Sequence, residues 1–339
     1  MNAPDSQQHA RLGICIVAWR CGPLVVDCLK SIQTELESVP GTHVCIVDNA
    51  SGDDTADVIE RAIVDSGWSQ WATLVRAPKN GGFAYGNNRA IEALRASGKP
   101  LDYFVLLNPD TILRPGALRI LGDFMNSRPD VGLAGGRSED PDGTPQACCF
   151  RFPSILRETA AVVQLGPFFR LFARQIRWIG TPDMPMEVDW VSGAYVFIRP
   201  EVLESIGLLD EAYFLYFEET DFILRANRAG WTCWHVPQSR IVHLVGQSSG
   251  VTTHRARPRR LPAYWFESRR RYFILNHGRA YAALLDLAVA AGYCVARPIR
   301  RLTGHWFNDP PNFLRDLLKH SALVRGASSL APRQIPRDP

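Results

Sequence analysis

The sequence predicts an α/β protein: a mainly parallel sheet with flanking helices, followed by a helical C-terminal appendage. Two observations carry this. Up to Asp110, short β-branched apolar runs alternate with segments of helical periodicity. The polar clusters Asp48-Asn49, Asn80 and Asn108-Asp110 all fall where strands end, which is the edge at which such sheets bind ligands.

Taken in order, LGICIVAW reads as a strand and Leu24 to Leu36 as an amphipathic helix. HVCIVDN is a second strand and Asp54 to Val64 a second helix. ATLVRAP is a third strand, Tyr85 to Ala96 a helix, and DYFVLLNPD a fourth strand. The stretch Cys148 to Pro185 is less regular, and its FPSILRETAAVVQLGPFFRLF segment predicts helices beside the site. VDWVSGAYVFIRPEVLESIGLLDE then supplies a strand, a proline turn and a short helix. The tail from Gly326 is rich in Pro, Arg and Ser and is expected to fray.

With 339 residues and 46% hydrophobic content, the chain can bury one large core or a core plus a smaller appendage, which excludes a disordered protein. Eight cysteines lack the paired C-x-x-C spacing of a zinc site or the density of a secreted scaffold, so they read as reduced core residues. No apolar stretch follows MNAPDSQQHA, so the expected location is cytoplasmic.

The net charge is only +4, but Arg255, Arg257, Arg259, Arg260, Arg269, Arg270, Arg271, Arg279, Arg297, Arg300 and Arg301 crowd the last third. They alternate with Trp265, Phe266, Tyr272, Phe273 and Tyr281, a pattern suited to a lipid headgroup boundary. A peripheral position on the inner face of the cell membrane is expected. Ala280 to Ala296 is apolar but interrupted by Asp286, and shorter than the roughly 20 residues a spanning helix needs. It is expected to lie on a membrane or in a core and not to cross. No nucleic-acid module accompanies the arginines, so no nucleic-acid partner is expected.

Chemistry is concentrated in YFLYFEETDFILR, residues 213–225, where Glu218, Glu219 and Asp221 sit among large apolar side chains. Burying carboxylates is costly unless something cationic or catalytic uses them. Asp48 ends a strand in VDNAS, where a carboxylate can accept hydrogen bonds from a ribose or base. The glycines of Asn80-Gly81-Gly82-Phe83-Ala84-Tyr85-Gly86-Asn87-Asn88 allow backbone to approach a ligand closely. In Asn108-Pro109-Asp110 the proline stiffens a turn carrying two oxygen-bearing side chains, and hard cations prefer oxygen.

Together VDNAS, NGGFAYGNN, LNPD, VSGA and YFEETDFILR occur in the order and rough spacing of the family 2 inverting glycosyltransferases, and the chain resembles their rhamnosyltransferase branch over about Leu12 to His243. The resemblance implies a GT-A (Rossmann-like) fold, a nucleotide-sugar donor and a divalent metal, Mg²⁺ or Mn²⁺. It further implies inversion at the anomeric carbon, with rhamnose from dTDP-rhamnose as the favoured transfer. The acceptor would be a free or lipid-linked saccharide at the cytoplasmic membrane surface, in polysaccharide synthesis. The implied organisation is a disordered N-terminus (1–10), a catalytic domain (11–255), a basic-aromatic helical region (256–325) and a flexible tail (326–339).

Carried over residue by residue, Asp48 contacts the nucleoside, and Asn80, Gly82, Phe83 and Asn87 line the donor site with Ala18, Asn108 and Asp110. Asp110 matches the second carboxylate of the D-x-D metal motif, with Asn108 where the first usually stands. His243 resembles a downstream histidine that completes the metal site in some relatives; a polar strand end is the other reading. Glu219 matches the catalytic base. Asp221, its acidic companion in the catalytic set, pairs with Arg225 to hold the helix and orient the site. Trp190, Gly193 and Glu218 border the acceptor. The first strand departs from the pattern with Ala18-Trp19-Arg20, where Arg20 either reaches the donor diphosphate or is solvated. A nucleotidyltransferase, or a non-catalytic saccharide- or membrane-binding protein, are the alternatives from other classes.

Overall fold

The computed structural model describes residues 10–174, 179–244, 259–303, 309–326 and 330–336. The expected N-terminal disorder at residues 1–9, the boundary at residue 255, and Arg255 and Arg257 lie outside the described residues.

The chain runs β1 (Leu12–Ala18), α1 (Gly22–Gln33), β2 (His43–Asp48), α2 (Thr55–Asp65), β3 (Ala72–Arg76), α3 (Gly82–Ala96), β4 (Tyr103–Leu107), β5 (Thr111–Leu113), α4 (Ala117–Asn126) and β6 (Val131–Glu139). It continues through β7 (Cys149–Phe150), α5 (Ile155–Val163), α6 (Gly166–Leu171), β8 (Met186–Val188), β9 (Trp190–Val191), β10 (Tyr195–Ile198), α7 (Pro200–Ile206), α8 (Glu218–Arg228) and β11 (Thr232–His243). The helices α9 (Ala263–His277), α10 (Arg279–Leu302), α11 (Phe313–Lys319) and α12 (Ala322–Arg325) follow.

The main sheet has the order β3-β2-β1-β4-β10-β6-β11-β5, with β8 also on β11. β3, β2, β1 and β4 are mutually parallel, as their alternation with helices predicts. Beyond β4 the sheet becomes mixed, because β10 runs antiparallel to both β4 and β6. β11 is parallel to β6 but antiparallel to β5 and β8. The second half therefore folds back on the first, which brings late motifs beside early ones.

The near-continuous apolar character of β1, β2 and β4 follows from their position, buried on both faces. One face packs on α1, α2 and α4 through Leu29, Ile59 and Leu118; the other packs on α3, α7 and α8 through Ile91, Leu203 and Phe222. A third apolar cluster joins Tyr213 to Phe266, Tyr272, Phe273, Leu285, Val289 and Leu317.

That third cluster corrects the reading of the arginine-aromatic segment as a lipid-facing surface. Phe266, Tyr272 and Phe273 are core, and Arg269, Arg270 and Arg271 are buried with them. Arg269 bridges Glu158 of α5 and Asp286 of α10, its contact to Asp286 being 2.6 Å. Arg271 holds Asp210 at 2.7 Å and donates to the carbonyls of Ala331 and Pro332. Periodicity on α9 alone cannot reveal this, because the countercharges come from distant segments. Asp286, which interrupts the apolar stretch 280–296, is one of those countercharges. The stretch belongs to a longer helix, α10, which is long and apolar enough to cross a membrane by length and composition only.

The expected fraying of the tail is also corrected over residues 330–336. Arg333 meets Asp221 at 2.6 Å, the Gln334 N–H donates to Asp210, and the Glu211 N–H donates to the Gln334 carbonyl. Composition suggested looseness, but two buried carboxylates provide anchors. Burial alone would raise the Asp221 pKa; Arg225, Arg333 and Asn276 outweigh it and hold this carboxyl below its usual range.

Arg333→Ala is therefore expected to destabilise the fold by about 1–3 kcal/mol at pH 7, the range for a lost charged hydrogen bond. A group with a depressed folded pKa contributes fully above its unfolded value near pH 4 and loses that contribution as pH falls through the folded value. Urea unfolding at neutral pH and near pH 3 checks this: the gap between wild type and variant narrows in acid. An equal gap at both pH values contradicts it.

Candidate active site

A cleft of about 450 Å³ opens at the C-terminal ends of β1, β2 and β4, lined among others by Trp19, Asn49, Asn80, Phe83, Asp110, Gly193, Glu218, Glu219, His243 and Tyr264. Its walls come from widely separated segments, so each needs a local reason for being there.

On the sheet side, Leu107 pairs with Tyr195 in antiparallel register and the Asn108 N–H donates to the Ala194 carbonyl. This pairing sets the VSGA motif against the NPD turn. The NPD turn leads into β5, which pairs with the end of β11, placing His243 opposite Thr111; the Leu244 N–H donates to the Asp110 carbonyl. As a result His243 Nε2 lies 3.5 Å from Asp110 Oδ1 and 3.4 Å from Asn108 Nδ2. The strand-end reading of His243 is thus fulfilled, and the same strand end points the imidazole at Asp110.

On the opposite side, α8 begins at Glu218 directly after Tyr216 and Phe217, both in the left-handed region with φ of 68°. Bulky residues seldom adopt that conformation. Their turn puts Glu218 and Glu219 at the helix start, where the macrodipole favours negative charge. A Cβ added at Gly193 would meet Glu219 Cβ at 3.5 Å and Phe83 at 3.4 Å, so the VSGA turn lies directly beside this carboxylate. Asp110 and Glu219 therefore face one cleft from different elements.

The carboxylates are electrostatically primed. Burial pushes the Glu218 pKa well up, and the charge of Glu219 adds to it. Burial also raises Glu219, partly offset by the backbone N–H groups of Glu219 and Thr220. Neither Glu218 Oε2 nor Glu219 Oε2 has a hydrogen-bond partner among the described residues. Such an oxygen can accept a proton from a hydroxyl brought into the cleft.

Of the residues expected from sequence, Asn80, Gly82, Phe83, Asn108, Asp110, Gly193, Glu218, Glu219 and His243 line the cleft. Five others do not. Ala18 is fully buried within β1. Asp48 accepts from the Ser51 N–H and hydroxyl and is buried in that turn. Asn87 turns back along its own helix, donating to the Phe83 carbonyl four residues earlier. Trp190 stacks on Phe150 with ring centres 4.4 Å apart and borders a separate, smaller cleft of about 160 Å³. Asp221 points away from the main cleft, into a cage of Tyr213, Arg225, Asn276 and Arg333. The place of Asp221 in the catalytic set is corrected by this: it does not line the cleft, but holds the helix through Arg225 and so orients Glu219 two residues earlier.

The glycine-rich segment also differs from expectation. Its residues from Gly82 onward are helix, and the bare α-carbons serve packing within the protein. At Gly82, with φ of 87°, a Cβ would sit 1.9 Å from the Phe214 carbonyl oxygen, which accepts from the Phe83 N–H at 2.8 Å. At Gly86 it would collide with Val17. Arg20 is tied down as well: its backbone N–H and Nε donate to Ser51. It braces the ends of β1 and β2 while remaining exposed to solvent.

Sequence reasoning placed Asn49 in a strand-end cluster but gave it no role in the site. Its amide donates to Asn80 Oδ1 and to the Gly82 carbonyl, and its oxygen accepts from the Gly81 N–H, so it ties the end of β2 to the start of α3. The signal was its place beside Asp48 in the strand-end motif. Phe214, Tyr216 and Tyr264 were missed, and with Phe83 they give the cleft an aromatic wall. Tyr216 and Tyr264 stack, 6.2 Å apart. Tyr264 had no local signal, since only the docking of α9 brings it in.

A metal fits this donor set only in part. Asp110 and His243 offer one carboxylate and one imidazole to a common point, and among the described residues no group of three His, Cys, Asp or Glu side chains forms a complete cage. A divalent cation that shares its coordination with substrate phosphate and water suits such an incomplete set.

The parallel sheet that turns mixed, with acidic groups facing across a cleft at its strand ends, is a GT-A-like α/β fold. Two solved structures share the fold: mannosyltransferase PcManGT from Pyrobaculum calidifontis in complex with GDP-Man and Mn²⁺, with a TM-score of 0.53, 17% identity and coverage of 95% of this chain and 83% of that one; and GalNAc-T7 with UDP, GalNAc and Mn²⁺, with a TM-score of 0.54, 12% identity and coverage of 93% and 55%. The chain belongs to the family described as glycosyltransferase like family 2, whose pattern matches residues 9–273. It is 28% identical over 247 residues to N-acetylglucosaminyl-diphospho-decaprenol L-rhamnosyltransferase of Mycobacterium tuberculosis (strain ATCC 25618 / H37Rv), covering 70% of this chain and 78% of that protein. It is 23% identical over 171 residues to rhamnosyltransferase WbbL of Escherichia coli (strain K12), covering 48% and 60%. The protein is a glycosyltransferase that moves a sugar from a nucleotide-sugar donor.

Two consequences follow for stability. Glu218→Gln is expected to stabilise the fold at neutral pH by on the order of 1–2 kcal/mol, because it removes a buried charge. A carboxyl with a raised folded pKa is neutral in both states below the unfolded value, so the gain vanishes below about pH 4.5; urea midpoints across pH measure it, and no gain at pH 7 contradicts the reading. Gly82→Ala and Gly98→Ala are both expected to cost about 1–3 kcal/mol from positive-φ strain, but only at Gly82 does the added Cβ also meet backbone, the Phe214 carbonyl, whereas at Gly98 nothing lies within 4 Å; the thermal midpoint is therefore expected to fall further for Gly82→Ala, and equal falls contradict this.

Proposed function

We propose that the protein is an inverting rhamnosyltransferase that uses dTDP-rhamnose and glycosylates a lipid-linked saccharide at the cytoplasmic face of a membrane. The observation that carries the mechanism is that Asp110 with His243, and Glu219, line the same cleft from opposite sides. Support for the sugar and acceptor comes from the relatives, one of which is named for transfer of L-rhamnose to N-acetylglucosaminyl-diphospho-decaprenol. The free saccharide named in the sequence expectation remains the simpler acceptor for assay.

In a single displacement the acceptor oxygen forms a bond to the anomeric carbon as the bond to the departing nucleotide diphosphate breaks, and the acceptor proton passes to a base. Glu219 is that base: its Oε2 has no other hydrogen-bond partner among the described residues, and its raised pKa makes it a stronger proton acceptor than an ordinary carboxylate. Asp110 and His243 would hold Mg²⁺ or Mn²⁺, which when bound neutralises charge on a diphosphate leaving group. Asn49 and Asn80 hold the end of β2 and the start of α3 in place around the donor. Phe83, Tyr216 and Tyr264 provide apolar faces for a sugar ring and exclude water from the reacting centre. Gly193 and Glu218 border the acceptor side.

The test compares dTDP-rhamnose with UDP- and GDP-sugars in a thermal-shift screen with and without Mn²⁺, followed by transfer assays. dTDP-rhamnose is expected to give the largest Mn²⁺-dependent stabilisation, since a ligand that binds only the folded state raises the midpoint. Glu219→Gln is expected to retain that shift and lose transfer by at least about 10²-fold, the lower range for removal of a general base. Asp110→Asn is expected to lose the Mn²⁺ dependence of the shift. A larger shift with another nucleotide sugar rejects the donor; retained turnover in Glu219→Gln moves the base elsewhere.

A further inference from the structure

The outward face of α10 is apolar along nearly its whole length. Leu284, Leu287, Ala291, Val295, Ile299 and Leu302 recur at intervals of three or four, so they share one side of the helix. All are exposed, Leu284 by 56%, Leu287 by 52%, Val295 by 63% and Leu302 by 89%. From Leu284 to Leu302 the stripe runs about 27 Å at the helical rise. Isolated exposed leucines mean little, but a continuous stripe of this length marks a contact surface.

We infer that this stripe is where the protein docks on an anionic lipid bilayer, with α10 lying in the plane of the interface. The inference rests on the membrane-face acceptor proposed above and assigns it a surface, in place of the arginine-aromatic segment of α9 that is buried. Three observations support it.

First, the inward face of α10 cannot leave the protein. Asp286, in the first half of the helix, is buried, meets Arg269 at 2.6 Å and accepts from the Ala322 N–H at 2.7 Å. Hydrocarbon all round the helix would strand that charge pair, so α10 contacts lipid on one side and does not cross. Second, Pro298 lies on the exposed side within the helix and lacks the N–H that the Cys294 carbonyl would accept. With that helical bond gone, the Cys294 carbonyl can take water or a headgroup as its partner, both present at interfacial depth.

Third, charge selects the partner. Exposed Arg279 begins the helix and exposed Arg301 stands beside its end, and neither takes part in an ion pair among the described residues. Two copies packed stripe to stripe would oppose arginine to arginine, end to end or end to start. An anionic headgroup layer meets both with opposite charge.

The test is flotation of the full chain with phosphatidylcholine vesicles with and without phosphatidylglycerol. Cys294, the one exposed cysteine among eight, carries an environment-sensitive fluorophore in a parallel experiment. The protein is expected to float with phosphatidylglycerol vesicles, at least about tenfold more than with phosphatidylcholine alone, and the Cys294 label to shift to the blue. Leu287→Glu combined with Val295→Glu is expected to abolish both, while thermal midpoint and donor turnover in solution are unchanged. Flotation that survives this double substitution overturns α10 as the docking face but leaves the membrane reading intact. Absence of flotation in the unsubstituted protein overturns both, and a dimer that the double substitution dissociates assigns the stripe to self-association and overturns the inference. Loss of donor turnover from the unsubstituted protein bears on the proposed reaction alone.

Discussion

The cleft depends on one clamp: the buried carboxylate of Asp221, held by Arg225 one turn on, by Asn276 from α9 and by Arg333 from the C-terminal tail. Asp221 stands two residues after Glu219 on the same helix. Whatever fixes it therefore fixes the carboxylate that faces the cleft. An unpaired charge in that position would cost several kcal/mol, so the three partners are a condition for the helix start to exist where it does. The same clamp draws α9 inward, and with it Tyr264, one of the aromatic faces of the cleft. Catalytic geometry on this side is thus a product of the C-terminal helices and tail, not of the α/β sheet alone.

The opposite wall is set by strand pairing. Parallel β-α units place Asn49 and the NPD turn at one edge of the sheet, as crossover topology requires. β10, antiparallel to β4, begins at that edge and adds Gly193, while β11, which runs parallel to β6 and so in the direction of β4, ends there and adds His243. The contact between the Phe214 carbonyl and the Gly82 turn joins the two walls, so a glycine that looks made for a ligand instead closes the site's own frame.

Much of this was legible in sequence, for definable reasons. The parallel half of the sheet shows in β1 to β4 because apolar runs and helical periodicity are local signals. Asn80, Asp110 and Glu219 were readable from their motifs, since each stands at a strand or helix end. Asp48, Asn87 and Trp190 were misplaced because a motif gives position along the chain but not side-chain direction. Asp48 turns back to Ser51, Asn87 to Phe83, and Trp190 to Phe150. The charged residues of the C-terminal region were the least legible. Arg269, Arg271 and Arg333 look like surface residues until Asp286, Asp210 and Asp221, distant in the chain, arrive as partners. Burial of an ion pair is a long-range property, and periodicity carries no trace of it.

The central claim is that Asp110 and Glu219 serve opposite halves of one displacement across a single cleft, the first at the leaving diphosphate and the second at the incoming hydroxyl. Anomalous diffraction from crystals grown with Mn²⁺ and dTDP tests it most directly. The account predicts one strong peak within about 2.0–2.6 Å of the Asp110 carboxylate, a distance typical of hard cations on oxygen, with the His243 imidazole and a diphosphate oxygen completing the contacts and Glu219 free of metal. A peak on Glu219, or bound nucleotide with no metal at Asp110, would contradict it.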